Sequence, residues 1–154
     1  MIVLESDAVL GKCKVRFESR ELDLFREVLL AYPMQKTFLQ EPHHKFRNTL
    51  EASLRATRAQ NTDAARHFRQ AGALTIDKDF KESWDLALNA ADIEHLLQIL
   101  NDVRVGLWIQ LGRPHPDQDN PPPKTEAAMR AQMLIHFCGE WQYVLIHAFE
   151  PSGE

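Results

Sequence analysis

The sequence is poor in the residues that build catalytic loops. It has only 6 glycines in 154 residues, so few backbone turns can cradle a phosphate group. It contains no Gly-rich phosphate loop, no Gly-x-Ser-x-Gly nucleophile motif and no His-Glu-x-x-His zinc motif. These absences argue against the commonest enzyme classes. We therefore predict no catalytic residue and no cofactor, and we favour a protein that is not an enzyme.

Cysteine and long apolar runs are also scarce. Cys13 and Cys138 are the two cysteines, and no CxxC pair is present, so we expect two reduced thiols rather than a disulfide framework. No apolar run is long enough to cross a membrane. The first four residues are apolar and are followed by acidic ones, unlike a secretory signal. These features predict a cytoplasmic protein with no membrane partner.

The length and composition suit one globular domain. Hydrophobic residues make up 44% of the chain and charged residues 26%, and we predict a single helical domain over residues 1–150. The net charge of −4 is unevenly distributed. Between His43 and Gln70 six basic residues outnumber the two acidic ones, and the rest of the chain is correspondingly acidic. This asymmetry indicates a basic element on an acidic body.

Apolar spacing predicts mainly helices. Alternation indicates strands at Cys13–Phe17 and Trp84–Leu88, and Ile2–Leu4 is a weaker strand candidate. Helices are predicted to begin after Ser19, at Pro42, after a break at Asn61-Thr62-Asp63, after Asn89 and near Thr125. We therefore predict a mainly α fold, an antiparallel bundle of about five helices with a possible small two- or three-stranded sheet near the N-terminus.

A proline-rich segment separates the last two predicted helices. Residues 113–124 hold five prolines, including Pro121-Pro122-Pro123. Such a composition favours an extended backbone over a helix. We predict an exposed loop within the domain.

The segment Leu100–Arg104 interrupts the most regular apolar helix with polar side chains. At 100° per residue Asn101 and Arg104 share a helix face, while Asp102 points away from it. Polar groups so close to a core must be paired. We predict a polar lock between the two long helices, with Glu140 or Gln142 as partner; a binding site for a partner is the alternative.

The last helix carries a row of polar and titratable side chains. His136, Glu140, Tyr143 and His147 fall on one helix face. Spacing of four residues permits metal ligation, so His136, Glu140 and His147 are weak candidate ligands. The chain has no Glu-x-x-His motif of the di-iron bundles. We therefore predict no metal and favour a solvated polar face.

The basic segment carries a candidate face for an anionic partner. Its arginines are Arg47, Arg55, Arg58, Arg66 and Arg69. Clustered arginines can contact phosphates or the carboxylates of an acidic protein. An ordinary solvated face that pairs with the protein's own carboxylates is the simpler interpretation. The overall acidity, and the lack of a clear helix-turn-helix, make nucleic acid the less favoured partner.

Two segments resemble a known family. Ile99–Leu107, which ends at Leu111-Gly112, is similar to the signature helix of an uncharacterised, mainly actinobacterial family, number two thousand and seventeen of the domains of unknown function. The last helix is similar to that family's C-terminal helix at five positions: Phe137, Gly139, Gln142, Leu145 and Ala148. Residues 40–80 match the family poorly. The resemblance implies a mainly helical cytoplasmic bacterial domain with no assigned activity or catalytic residues.

Taken together, the sequence predicts a binding protein of the adaptor or regulatory kind with a protein partner. A homodimer is a further prediction, with Trp108, Ile109 and Tyr143 as candidate contacts. Two alternatives stay open: a nucleic-acid-binding regulator that uses the arginine-rich face, and a metal-binding helical-bundle enzyme.

Overall fold

The computed structural model describes residues 1–7, 9–34, 47–76, 82–112, 114 and 122–148, with the backbone alone for residues 47–54. These residues form four strands and four helices. The strands are β1 (Ile2–Asp7), β2 (Lys12–Glu18), β3 (Ala73–Ile76) and β4 (Glu82–Asn89). The helices are α1 (Ser19–Ala31), α2 (Arg47–Ala71), α3 (Ala90–Gln110) and α4 (Glu126–His147).

The strands form an antiparallel sheet in the order β1-β2-β4-β3. Phe17 pairs with Trp84 across β2 and β4, and both side chains are buried on the inner face. Arg16 and Asp85 pair on the outer face, where Nε and Nη2 of the guanidinium donate bonds of 2.7 and 2.9 Å to the two carboxylate oxygens. The alternation of apolar and charged residues therefore assigns one face to the core and the other to solvent.

The helices cover the inner face of the sheet. Phe17 stacks on Phe25 of α1 with ring centroids 4.2 Å apart, and Trp141 of α4 meets both rings edge-on. These rings join the sheet, α1 and α4 in one core of buried apolar side chains. In α3 the residues at helical spacing, Ile93, Leu96, Leu100, Val103 and Leu107, are buried as their periodicity predicts.

The predicted fold class is wrong. The described residues hold four helices, not five, and a sheet of four strands that is a full layer of the structure. β2 and β4 lie where alternation indicated strands, but β3 was not predicted. Its four residues, Ala-Leu-Thr-Ile, are too few to reveal a period of two. Helices packed on one face of an antiparallel sheet make this an α+β fold.

The helix break predicted at Asn61-Thr62-Asp63 does not exist, because α2 runs through it. Asn61 is 3% exposed, and its amide bonds side chains of α3 instead of capping a new helix. The Thr62 hydroxyl donates to the Arg58 carbonyl one turn back, at 2.7 Å. Both side chains that looked like cap residues are therefore compatible with a continuous helix.

Side-chain caps fix the N-termini of α3 and α4, where the sequence predicts a cap at Asn89 and a helix start near Thr125. Asn89 and Asp92 form a reciprocal capping box at the start of α3, and Thr125 caps α4 through the amide of Ala128. At α1 the cap residue is Glu18, one residue before the predicted Ser19. The predicted loop at residues 113–124 falls mostly outside the described residues. None of the described helices is both long and apolar enough to span a membrane.

Candidate functional site

Asp102, the acidic residue of the Leu100–Arg104 segment, binds α2. Its Oδ1 accepts a bond of 3.1 Å from Nη2 of Arg58, and its Oδ2 accepts one of 3.1 Å from the backbone amide of Met34. The Arg58 guanidinium also donates to the Met34 carbonyl at 3.3 Å. Three segments that are distant in sequence are thus joined at one carboxylate.

One turn earlier along α3, Asn61 of α2 is bonded by two side chains of α3. Its Nδ2 donates to Gln98 Oε1 at 2.9 Å, and its Oδ1 lies 2.7 Å from His95 Nδ1. Asn61 is a buried polar residue, and these bonds satisfy both ends of its amide. The buried hydroxyl of Tyr32 also reaches Asn61, and burial raises the pKa of that phenol. The α2–α3 interface is therefore locked by polar side chains.

The other polar face of the segment is turned towards α4. Arg104 donates from Nη2 to Oδ1 of Asn101 at 3.2 Å, one turn back on its own helix. No carboxylate forms an ion pair with Arg104 among the described residues. The guanidinium lies near Cys138. Burial raises the pKa of this thiol to about 12, although the positive charge of Arg104 acts to lower it.

Glu140 and Gln142, the predicted partners of that lock, have other contacts. Glu140 Oε1 lies 3.1 Å from His136 Nε2 on the same helix. Gln142 does bridge the two long helices, since its Nε2 donates to the Leu97 carbonyl of α3 at 3.2 Å. The structure therefore does not bring Asn101, Asp102, Arg104, Glu140 and Gln142 together in one cluster.

A shallow saddle crosses the outer surface of α4 at Gly139. It has a volume of about 720 Å³, and it extends from Arg104 on one flank of the helix to Met1 and Glu21 on the other. His136, Glu140 and Tyr143 line it as well. A Cβ added at Gly139 would lie 3.8 Å from Arg104 Nη1, which is an ordinary van der Waals contact, so the guanidinium borders the saddle at this point.

The arginines of α2 differ in their environment. Arg58 is half-buried against Asp102, and Arg66 forms an exposed pair of 2.9 Å with Asp63. Arg55 and Arg69 are exposed. The side chain of Arg47 lies outside the described residues.

The weak metal candidates do not converge. His136 pairs with Glu140, whereas His147 points its Nδ1 at the Tyr143 carbonyl, 2.8 Å away, and stacks on the Tyr143 ring. In the part of the chain that the structure describes, no three His, Cys, Asp or Glu side chains are grouped to hold a metal ion. The geometry offers no support for the metal-enzyme alternative.

The side chains suggested as dimer contacts lie on two different helices. Tyr143 of α4 is exposed, and Trp108 of α3 is partly exposed with its indole N–H donating to the Pro114 carbonyl at 3.0 Å. Ile109 is half-buried.

Sequence reasoning missed Asn61 as a structural residue. The signal was available, because His95, Gln98 and Asp102 form a polar row on α3 that needs partners opposite it.

Comparison with known proteins identifies a family. Residues 39–149 match the family described as a domain of unknown function, DUF2017. No curated protein and no solved structure matches the chain. The match includes α2, so the expectation that residues 40–80 fit this family poorly is wrong. β1, β2 and α1 lie before the matched residues.

Proposed function

The chain belongs to the DUF2017 family, and on that premise we propose that it is a binding protein of the adaptor or regulatory kind, which engages an acidic protein partner through α2. The proposed contact surface is the α2 arginine flank, which we define as Arg55, Arg58, Arg66 and Arg69. The family carries no assigned activity, so the proposal depends on the placement and charge of these side chains.

The observation that carries the proposal is the alignment of these arginines. At 3.6 residues per turn, the four positions fall within an arc of about 80° along α2. Three of the four side chains are exposed, and Arg58 is half-buried. Guanidinium groups in a row suit an acidic helix or strand, because each can bind a carboxylate with two parallel hydrogen bonds.

The carboxylates already present on this flank favour a protein partner over nucleic acid. Asp102 pairs with Arg58 and Asp63 pairs with Arg66, so at least two of the four positive charges are balanced within the protein. Phosphate-driven binding gains its strength from many unbalanced cations. A protein partner with a few well-placed carboxylates needs fewer unbalanced cations than nucleic acid does. The acidic remainder of the chain also repels it less than it repels nucleic acid.

The exposed pair on the flank is easily rearranged. Both Asp63 and Arg66 are mostly exposed, and such pairs contribute about 0–1 kcal/mol to stability. Arg66 can therefore exchange Asp63 for a partner's carboxylate at little cost. Arg58 differs, because its bonds to Asp102 and Met34 hold α2 against α3. We infer that Arg58 orients the flank and that Arg55, Arg66 and Arg69 contact the partner.

We also propose that the protein works in the cytoplasm. Cys13 and Cys138 are both buried and unpaired with each other. Free thiols are typical of proteins from a reducing compartment. Fractionation of cells that express the full chain tests this placement, and recovery in an extracytoplasmic fraction would contradict it.

Binding to a labelled acidic peptide tests the proposed function. We expect fluorescence anisotropy to show binding of a glutamate-rich helical peptide at low salt that weakens as salt is added. The double substitution Arg55→Glu and Arg69→Glu should abolish it. The matched control is Arg20→Glu with Arg26→Glu, which makes the same charge change on exposed positions of α1.

Duplex DNA in the same assay separates the two kinds of anionic partner. Tighter binding to DNA than to the peptide, lost in the α2 variant, would replace our proposal with the nucleic-acid-binding alternative. Equal loss of peptide binding in the α1 control would also contradict it, because the binding would then reflect net charge and not the α2 arginine flank.

A further inference from the structure

The solvent-exposed face of α4 carries exposed apolar side chains towards both ends and an ion pair in the middle, and His147 lies on the same face beyond Tyr143, stacked on its ring. Met129 and Met133 are 51% and 43% exposed near one end, and Tyr143 is 62% exposed near the other. His136 and Glu140 lie between them, 3.1 Å apart. At steps of three or four residues these positions form one stripe along the helix. We call these five residues the α4 stripe.

We propose that the α4 stripe is a homodimer interface, in which the stripe of a second copy packs antiparallel to it about a two-fold axis at the level of Cys138. The axis position follows from the sequence of the stripe. Positions 136 and 140 are equidistant from 138, and so are positions 133 and 143. A two-fold axis at this level therefore brings each of these residues opposite a chemically different one.

Charge complementarity argues for a second copy as the occupant. Antiparallel packing places His136 opposite Glu140 of the second copy, and the two-fold axis repeats this pair on the other side. Each histidine thus meets a carboxylate of the second copy. A reciprocal contact of this kind is what an isologous interface requires.

The apolar ends of the stripe are complementary in the same arrangement. Met133 lies opposite Tyr143 of the second copy, again twice. A thioether beside an aromatic ring is a favourable contact, worth about 0.3–1.5 kcal/mol. The exposed methionine end of one α4 is therefore covered by the exposed tyrosine end of the other, and the apolar surface of both is removed from water.

The saddle at Gly139 lies beside the proposed crossing point. Without a side chain there, the helix surface is lowered next to the two-fold axis. The distance between packed helices depends on the side chains at their contact. Gly139 and its copy lie on the same flank of the crossing, where each is bordered by Arg104.

The dimer leaves the proposed partner surface free. α3 packs against α2 through Asp102 and Gln98, whereas Arg104, about 160° around the helix from Asp102, lies beside Gly139 of α4. α2 therefore lies on the side of α3 away from α4. A dimer through α4 would present two α2 arginine flanks at its outer ends and give the protein two binding sites. This inference goes beyond the proposed function and does not depend on it.

Sedimentation velocity of the full chain over a range of concentrations tests the dimer. We expect a monomer–dimer equilibrium. His136→Glu should weaken it about tenfold or more, since carboxylates then face each other at the centre. The swap of His136→Glu with Glu140→His restores the reciprocal pairs and should restore the dimer. Lys12→Glu at an exposed position of β2 is the control and should leave the equilibrium unchanged.

Three results would overturn the inference. One is a chain that stays monomeric at about 100 µM, which would leave the α4 stripe to a different protein. The second is a dimer that His136→Glu does not weaken. The third is a dimer that the swap does not restore. Thermal unfolding of each variant verifies that these exposed substitutions leave the fold intact.

Discussion

Arg58 of α2 and Asp102 of α3 form an ion pair with Nη2 and Oδ1 3.1 Å apart. The carboxylate belongs to the Leu100–Arg104 segment, which carries the family resemblance, and the guanidinium belongs to the arginine-bearing helix. This contact joins the two features that stood out in the sequence. It makes Asp102 a structural residue that holds α2 in place.

Removal of Asp102 should destabilise the fold. Asp102→Ala leaves the half-buried Arg58 guanidinium and the Met34 amide without their acceptor. We expect the free energy of unfolding to fall by about 1–3 kcal/mol. Urea unfolding followed by circular dichroism measures it. The control, Asp63→Ala, removes an exposed carboxylate of α2 and should lower the free energy of unfolding by less than about 1 kcal/mol. An equal loss in both variants would contradict the structural role of Asp102.

Substitution of Asn61 should lower the stability of the fold, although the residue lies in the polar triplet Asn61-Thr62-Asp63. Asn61→Leu removes the buried amide that bonds both Gln98 and His95, and it leaves Gln98 Oε1 and His95 Nδ1 without this partner at half-buried positions. The expected loss is about 1–3 kcal/mol in the same unfolding assay. Asn101→Ala on the exposed face of α3 is the comparison and should be nearly neutral. A neutral Asn61→Leu would show that the lock contributes nothing to stability.

The stability that the Arg16–Asp85 pair contributes on the outer face of the sheet should depend on pH. The hydrogen bond from Arg16 holds the pKa of Asp85 below its ordinary value of 3.8. Because the folded-state pKa is depressed, the pair contributes stability above pH 3.8 and loses it as the pH falls through the folded-state value. Arg16→Ala should therefore destabilise at pH 7 and have a smaller effect at low pH. Unfolding curves at both pH values test this, and a constant difference would refute it.

Local signals in the sequence were sufficient for the strands β2 and β4, for the cap of α3 and for the start of α4. Alternation and Asn89-x-x-Asp92 act over a few residues, so they can be recognised without a structure. The course of α2 could not be predicted from the same kind of signal. Asn61 looks like a cap in sequence, and its bonds to α3 become visible only when the helices are packed.

The partner of Asp102 could not be predicted from the sequence for the same reason. Arg58 lies 44 residues away along the chain, and helical spacing specifies the face of a residue but not what meets that face. The spacing correctly separated Asp102 from Asn101 and Arg104. The lock was nevertheless expected on the Arg104 side, whereas the structure places the α2–α3 ion pair on the Asp102 side.

Mapping of the bound surface tests the central claim, that α2 is the partner-binding element, most directly. A titration of the ¹⁵N-labelled full chain with the glutamate-rich peptide reports which backbone amides respond. Our account predicts that the shifts cluster on residues 55–70 of α2 and that they disappear in the Arg55→Glu, Arg69→Glu variant. Shifts confined to α4 or to the outer face of the sheet, with α2 unperturbed, would contradict it.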